Sequence, residues 1–358
     1  MKSPFPDSVA DTRPARGHYL DPALARLSGI ERAREYVRGN TGLPAIHHLT
    51  GLRPTEASQG RSTFAVPATG WLASSAGIIP GGALAFLTDA PLSSAIETVL
   101  GPNRVAATSE LSLNFIAPAF PGEGNLVARA GLIDVGTVLG FSAAEVTDQH
   151  GRLVAHATTR CVVMELPDQE AGDQPRVDPD WVPDDTPDPW RLPPGGEIVD
   201  DLHEMGGLEA LQAWVAGRLP RPPIAALFGF FPVSAEEGRV VWAAPSSPWY
   251  SSPGPFLYGG AIALLAETAH AAAFHSVLGP GEIYANLDLK IQFLRPARAG
   301  AGVLTATAEV VHRGRSILVA NARIEDSGGK TILLATGSAA VIAGGIPWLL
   351  AQRPRATG

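Results

Sequence analysis

The stretch Gly81-Gly82-Ala83-Leu84-Ala85-Phe86-Leu87-Thr88-Asp89 returns 178 residues on as Gly259-Gly260-Ala261-Ile262-Ala263-Leu264-Leu265-Ala266-Glu267. Each copy opens on two glycines, continues through small and apolar residues, and reaches an acid seven positions after the second glycine. Both runs stay apolar nearly all round to Leu100 and Leu278, then close on Gly-Pro, which is helix-stop chemistry. A helix with no polar face belongs in a core. A carboxylate inside it carries a desolvation penalty unless it has a partner or a task. Pro91 in the first copy removes a backbone donor and predicts a kink there.

The same spacing holds far outside this stretch. Gly51 matches Gly229, Pro54 matches Pro232, Trp71 matches Trp249, Phe115 and Pro118 match Phe293 and Pro296, and Gly136 and Gly151 match Gly314 and Gly329. Residues 24–163 thus recur without a gap as 202–341. Solenoid repeats are about 20–50 residues long, so this period means two fused domains, as a chain of 358 residues also suggests. The expected divisions are a polar arm over 1–23, a first domain with a leading helix over 24–164, a Pro/Asp-rich linker over 165–200, a second domain over 201–342 and a tail over 343–358. Trp181 and Trp190 suggest that the linker is strapped onto a domain.

Each unit gives one pattern. An amphipathic helix (25–37; 203–216) precedes a short strand (62–66; 240–244), a Ser/Pro/Gly-rich loop and the buried helix. Four segments of alternating polarity follow: 105–116, 125–134, 139–147 and 153–164 in the first unit, and 283–294, 303–311, 317–325 and 331–342 in the second. Alternation at period two, with turn residues between, predicts antiparallel half-buried strands. The class is α+β, a sheet against one helix in each unit.

The bulk numbers exclude several functions. A net charge of −8 disfavours nucleic acid or an anionic membrane surface as the main partner. One cysteine, Cys161, excludes a disulfide framework and a cysteine-rich metal site. His47-His48 has no partner at metal-ligand spacing, so no metal is expected. His270 and Cys161 read as buried structural residues. The first twenty residues lack the apolar core of a signal peptide, and no run approaches the roughly 20 apolar residues of a membrane span. A cytoplasmic location is expected.

The Gly-Gly helix with its acid, together with Thr108-Ser-Glu-Leu-Ser-Leu-Asn-Phe-Ile-Ala-Pro118 and its counterpart Leu287-Asp-Leu-Lys-Ile-Gln-Phe-Leu-Arg-Pro296, resembles the hotdog-fold acyl-CoA thioesterases of the phenylacetate-pathway type. The resemblance covers both core units. It implies two hotdog domains in tandem, each sheet wrapped on its long helix, forming within one chain the pseudo-dimer that such domains make. It implies a substrate of acyl-CoA, coenzyme A being part of the substrate and no cofactor needed, and association of double units by stacked sheets.

The resemblance also implies a division of labour across the seam. A helix acid of one unit acts as general base or nucleophile, and a glycine N–H at the other unit's helix start polarises the thioester carbonyl. Free N–H groups and a positive dipole at a helix start suit such an oxyanion independently of any family. Site one then joins Asp89 and Thr108 with Gly259, Ser252 and Tyr258. Site two joins Glu267 and Asn286 with Gly81 and Ser74. The hydroxyl at Thr108 follows the family pattern and Asn286 does not, which favours site one. Pro80 and Tyr258 stand where the family has histidine, and Ser74 and Ser252 where it has asparagine. Arg295, Arg298, Arg313 and Arg315 face Ala117, Phe120, Val135 and Thr137 in the first unit, and the family's use of basic residues implies one dock for the coenzyme A phosphates on the second unit. The alternatives are a non-catalytic acyl-CoA or lipid binder and, last, a hotdog dehydratase.

Overall fold

Two strands at the middle of the chain's fold make the two units one body. In the computed structural model, which describes residues 3, 5, 8–166, 186–200, 202–342 and 345, the first unit comprises α1 (Val9–Thr12), α2 (Gly29–Arg38), α3 (Ala45–Thr50), β1 (Arg53–Ser58), β2 (Arg61–Pro67), α4 (Gly81–Glu97), β3 (Arg104–Phe115), β4 (Asn125–Val135), β5 (Leu139–Thr147) and β6 (Leu153–Glu165). The second has α5 (Gly207–Val215), α6 (Pro223–Phe228), β7 (Phe231–Glu236), β8 (Arg239–Pro245), α7 (Gly259–Ser276), β9 (Ile283–Phe293), β10 (Val303–Arg313), β11 (Ile317–Glu325) and β12 (Thr331–Ile342).

All strands form a single 12-stranded sheet in the order β1-β2-β4-β5-β6-β3-β9-β12-β11-β10-β8-β7. The order is a palindrome of the two repeats. At its centre β3 and β9 run antiparallel, with Ser112 opposite Lys290. Those two residues are equivalent in the repeat, so the pseudo-twofold axis passes between them. The halves are therefore the sides of an internal dimer, and the helices α4 and α7 pack against each other beneath the sheet. Phe86, Leu87, Leu92 and Ile96 of α4 and Leu264, Leu265 and Phe274 of α7 are buried there. Each such side chain contributes roughly 1.5–3 kcal/mol of burial.

The structure adds to the expected pattern and corrects parts of it. Each unit has six strands rather than five, because β1 and β7 pair with β2 and β8. Their sequences, Arg-Pro-Thr-Glu-Ala-Ser and Phe-Pro-Val-Ser-Ala-Glu, carry an early proline and no clean alternation, so they hid as loops. The first leading helix starts at Gly29, not residue 25, because Pro22–Arg26 forms a separate 3-10 turn. The Ser28 N–H and hydroxyl both donate to the Glu31 carboxylate at 2.9 and 2.6 Å, which fixes that start. The second leading helix likewise starts at Gly207. Pro91 does not end α4, which continues to Glu97.

Of the linker, Trp181 lies outside the described residues. Trp190 does lie on a domain, its ring seated where a side chain on Gly51 would have to go. Its indole N–H donates to Asp188 at 3.2 Å. Asp188 also takes a 2.8 Å contact from each of Arg16 and His48, and these partners hold its carboxyl well below the usual range.

Candidate active site

Both helix acids are buried at the seam, and each points at the start of the other unit's helix. Asp89 accepts the Thr108 hydroxyl on one oxygen at 2.8 Å and the Gly260 N–H on the other at 2.9 Å. Glu267 accepts the Asn286 amide on Oε1 at 2.7 Å. Its Oε2 would lie 2.8 Å from a Cβ added to Gly82. The expected pairing of acid with opposite helix is thus present twice, but one residue further on than expected. Gly260 stands in for Gly259, and Gly82 for Gly81. The first glycine of each pair serves as clearance: a Cβ on Gly259 would come within 2.7 Å of Asp89, and one on Gly81 would strike Phe115.

Thr108 and Asn286 reach the acids because the strands bulge beside them. The register of β3 against β6 slips between Thr108 and Glu110, and that of β9 against β12 slips at the equivalent place, skipping Leu287. A bulge turns the neighbouring side chain out of the strict alternation. Composition and periodicity give no sign of it.

The two sites differ in what is left unpaired. In site one both carboxylate oxygens are hydrogen-bonded. In site two Glu267 Oε2 and Asn286 Oδ1 are buried without a hydrogen-bond partner among the described residues, and so is the Ser74 hydroxyl in the loop before α4. The Gly82 N–H is near enough to lower the pKa of Glu267, yet it does not close on Oε2 within hydrogen-bond geometry. The space against Glu267, lined also by Phe115, His270, Asn286 and Asp288, is too narrow to hold a water molecule. Orphaned buried polar atoms are rare, and a catalytic role is one explanation for them. A cleft of about 430 Å³, between Trp71, Gly196 and Arg221, touches neither acid.

Electrostatics follow the same division. Burial pushes the Glu267 carboxyl up to about 7, against the lowering by Gly82 and Asn286. Burial raises Asp89 as well, opposed by Thr108 and Gly260.

The remaining candidates scatter. Tyr258 is buried, and its hydroxyl donates to the Phe86 carbonyl at 2.7 Å and accepts the Ala90 N–H at 2.9 Å. Those are groups that an unbroken α-helical rung would join to each other. Tyr258 is therefore a wedge in α4, committed to backbone. The Ser252 hydroxyl is exposed and donates to Phe256 O at 3.1 Å.

The four arginines do not form one dock. Arg295 and Arg298 are exposed after β9, near the loop before α7, where Arg298 stacks on Phe256 at 5.1 Å. Arg313 and Arg315 are exposed on the β10–β11 hairpin. Arg313 pairs with Leu318, Leu318 with Ala339, and Ala339 with Asn286, so Arg313 shares a cross-strand row with site two. Three strand spacings put it ~14 Å away. Arg313 also lies 3.5 Å from Glu237.

His270 sits between the Ala266 and Ala320 carbonyls at 3.1 Å each. No group of three or more potential metal ligands occurs among the described residues. No helix among them is long and apolar enough to cross a membrane.

Comparison with known proteins places this geometry. The model of the thioesterase superfamily matches the chain twice, at residues 76–155 and 254–333. A 1,4-dihydroxy-2-naphthoyl-CoA hydrolase of Listeria monocytogenes is 32% identical over 109 residues, which are 30% of this chain and 87% of that protein. Among solved structures, the tesB protein of Mycobacterium avium subsp. paratuberculosis aligns with a TM-score of 0.51 at 14% identity, over 84% of this chain and 98% of that one. A candidate thioesterase of Novosphingobium aromaticivorans gives 0.51 at 17% identity, over 81% and 98%. At such identities the solved structures attest the fold alone. The two family matches in register, and a relative matched over most of its length, show that the chain belongs to the thioesterase superfamily and is a thioester hydrolase built from two hotdog units in tandem.

Proposed function

We propose that the chain hydrolyses an acyl-CoA thioester at site two, with Glu267 as general base. The observation that carries the choice of site is the unpaired Glu267 Oε2 opposite the Gly82 N–H. The name of the Listeria relative, a CoA-thioester hydrolase, supports the substrate class.

In this account the thioester carbonyl enters between the two groups and takes the Gly82 N–H as its oxyanion donor. Glu267 removes a proton from water, and the water oxygen bonds to the carbonyl carbon. The C–S bond then breaks, and the thiolate leaves with the proton returned by Glu267. A base with a pKa near 7 suits both transfers. Asn286 holds the other carboxylate oxygen and fixes its rotamer. Arg313 and Arg315, on the same end of the sheet, meet the coenzyme A phosphates, for which guanidinium is well shaped. Asp89, with both oxygens already bonded, serves as a clasp between the units.

Release of free thiol from a panel of acyl-CoAs tests the assignment. Glu267→Gln is expected to lower kcat by at least ~100-fold, and Asp89→Asn to leave it within about threefold. Loss in Asp89→Asn with retention in Glu267→Gln would reverse the assignment.

A further inference from the structure

The repeat continues upstream of where residue identity shows it, into two arms that cross the seam. Trp249 donates its indole N–H to Arg13 O at 2.8 Å, and the equivalent Trp71 donates to Leu192 O at 2.9 Å. The Leu20 N–H donates to Pro253 O, and the Val199 N–H to Ser75 O. The His18 N–H donates to Leu43 O, and the Glu197 N–H to Arg221 O. In every pair the receiving loops lie 178 residues apart and the arm residues 179 apart. Gly17 and Gly196 also match at that spacing. Both have positive φ, 119° and 77°, and a Cβ on either would strike the carbonyl of Leu43 or Arg221 at about 2.5 Å. A one-residue difference in length hid this match, and the last part of the linker is the second copy of the N-terminal arm.

The arms are exchanged. The segment 8–20 leads into the first unit but holds the 249–253 loop of the second. The segment 186–200 leads into the second unit but holds the 71–75 loop of the first. Each held loop runs on into a Gly-Gly helix start. At site two, the acid Glu267 and the arm 186–200 therefore belong to one unit, while the Gly82 N–H and the loop under that arm belong to the other.

We infer that the 186–200 arm is a positioning clamp, through which the unit carrying Glu267 fixes the approach of the opposing Gly82 N–H. The inference rests on site two being the productive site. Arg16 of the other arm pins the crossing, donating to Thr186 O at 2.5 Å and to Asp188 at 2.8 Å. A shift of about 1 Å in a reacting group can lower a rate about 100-fold, so a loosened loop is felt in kcat before it is felt in binding.

The repeat supplies its own control. Val199→Pro removes the donor to Ser75, and Leu20→Pro removes the equivalent donor to Pro253. Trp71→Phe and Trp249→Phe form a gentler matched pair in case proline blocks folding. Thiol release is measured across pH, alongside urea unfolding, for all four. The expected result is a kcat loss of ~10-fold or more in Val199→Pro and Trp71→Phe, with KM little changed and the acid limb of the pH profile moved upward as Gly82 recedes from Glu267. Leu20→Pro and Trp249→Phe should lose similar stability while keeping kcat. Equal stability losses with unchanged kcat and pH profile in both pairs would overturn the positioning role. The opposite pattern, with kcat lost only in Leu20→Pro and Trp249→Phe, would leave arms as clamps but overturn their assignment to site two.

Discussion

Asp89 and Glu267 occupy one position of the repeat, and their surroundings make them different acids. Thr108 and Gly260 each bond one oxygen of Asp89, while Glu267 keeps an oxygen without a hydrogen-bond partner among the described residues. That oxygen has a cost to folding. Burial raises the Glu267 pKa from 4.5 to about 7 in the folded chain, so the native state keeps a proton that the unfolded chain loses above 4.5. Its contribution is therefore a loss of stability as pH rises from 4.5 through 7, reaching on the order of 3 kcal/mol. Glu267→Gln should remove the loss. The variant is expected to be more resistant to urea than the parent at pH 8 and no more resistant at pH 4, while its thiol release fails. An equal difference at both pH values would contradict a buried, proton-retaining Glu267. The acid and the glycine pair were legible in the sequence. The unpaired oxygen was not, because it depends on whether the opposing glycine N–H closes on the acid, as Gly260 does on Asp89 and Gly82 does not on Glu267, and Thr108 had suggested the other site.

At the scale of elements, the repeat acts through irregularities as much as through helices and strands. Bulges recur at Ser109 and Leu287 beside the acids, and again at Ile133 and Val311. They are copied features, yet alternation alone reads straight through them. The helix α4 shows a second kind of irregularity. Pro91 suggested a local break, and the structure places the Tyr258 hydroxyl one residue earlier, bridging Phe86 O and Ala90 N–H. An aligned residue that looked like part of a site is thus a support for the partner helix. Tyr258→Phe removes the bridge that its hydroxyl makes to these two backbone groups. A loss of about 1–2 kcal/mol in urea unfolding is expected. Unchanged stability would show that α4 closes its rung unaided. The short strands β1 and β7 and helices α3 and α6 escaped the sequence for a simpler reason. The helices are only six residues long, too short to show a helical period, while β1 and β7 carry an early proline and no clean alternation.

For the whole molecule, the duplication set both the architecture and its asymmetry. The palindromic sheet order and the axis between Ser112 and Lys290 follow from two like units joined antiparallel at β3 and β9. The two-unit plan could be read from one fixed spacing. The seam itself could be reached only by resemblance, because nothing in a repeat states which strands meet. The exchanged arms were illegible: almost no residue identity remains there, and backbone hydrogen bonds carry the correspondence. Symmetry of fold with asymmetry of pairing predicts a chain with one seam, two matched sites and one working site. Calorimetric titration with a non-hydrolysable acyl-CoA thioether tests this most directly. One equivalent should bind per chain, with binding weakened by Arg313→Ala plus Arg315→Ala; two equivalents of like affinity per chain would contradict the account.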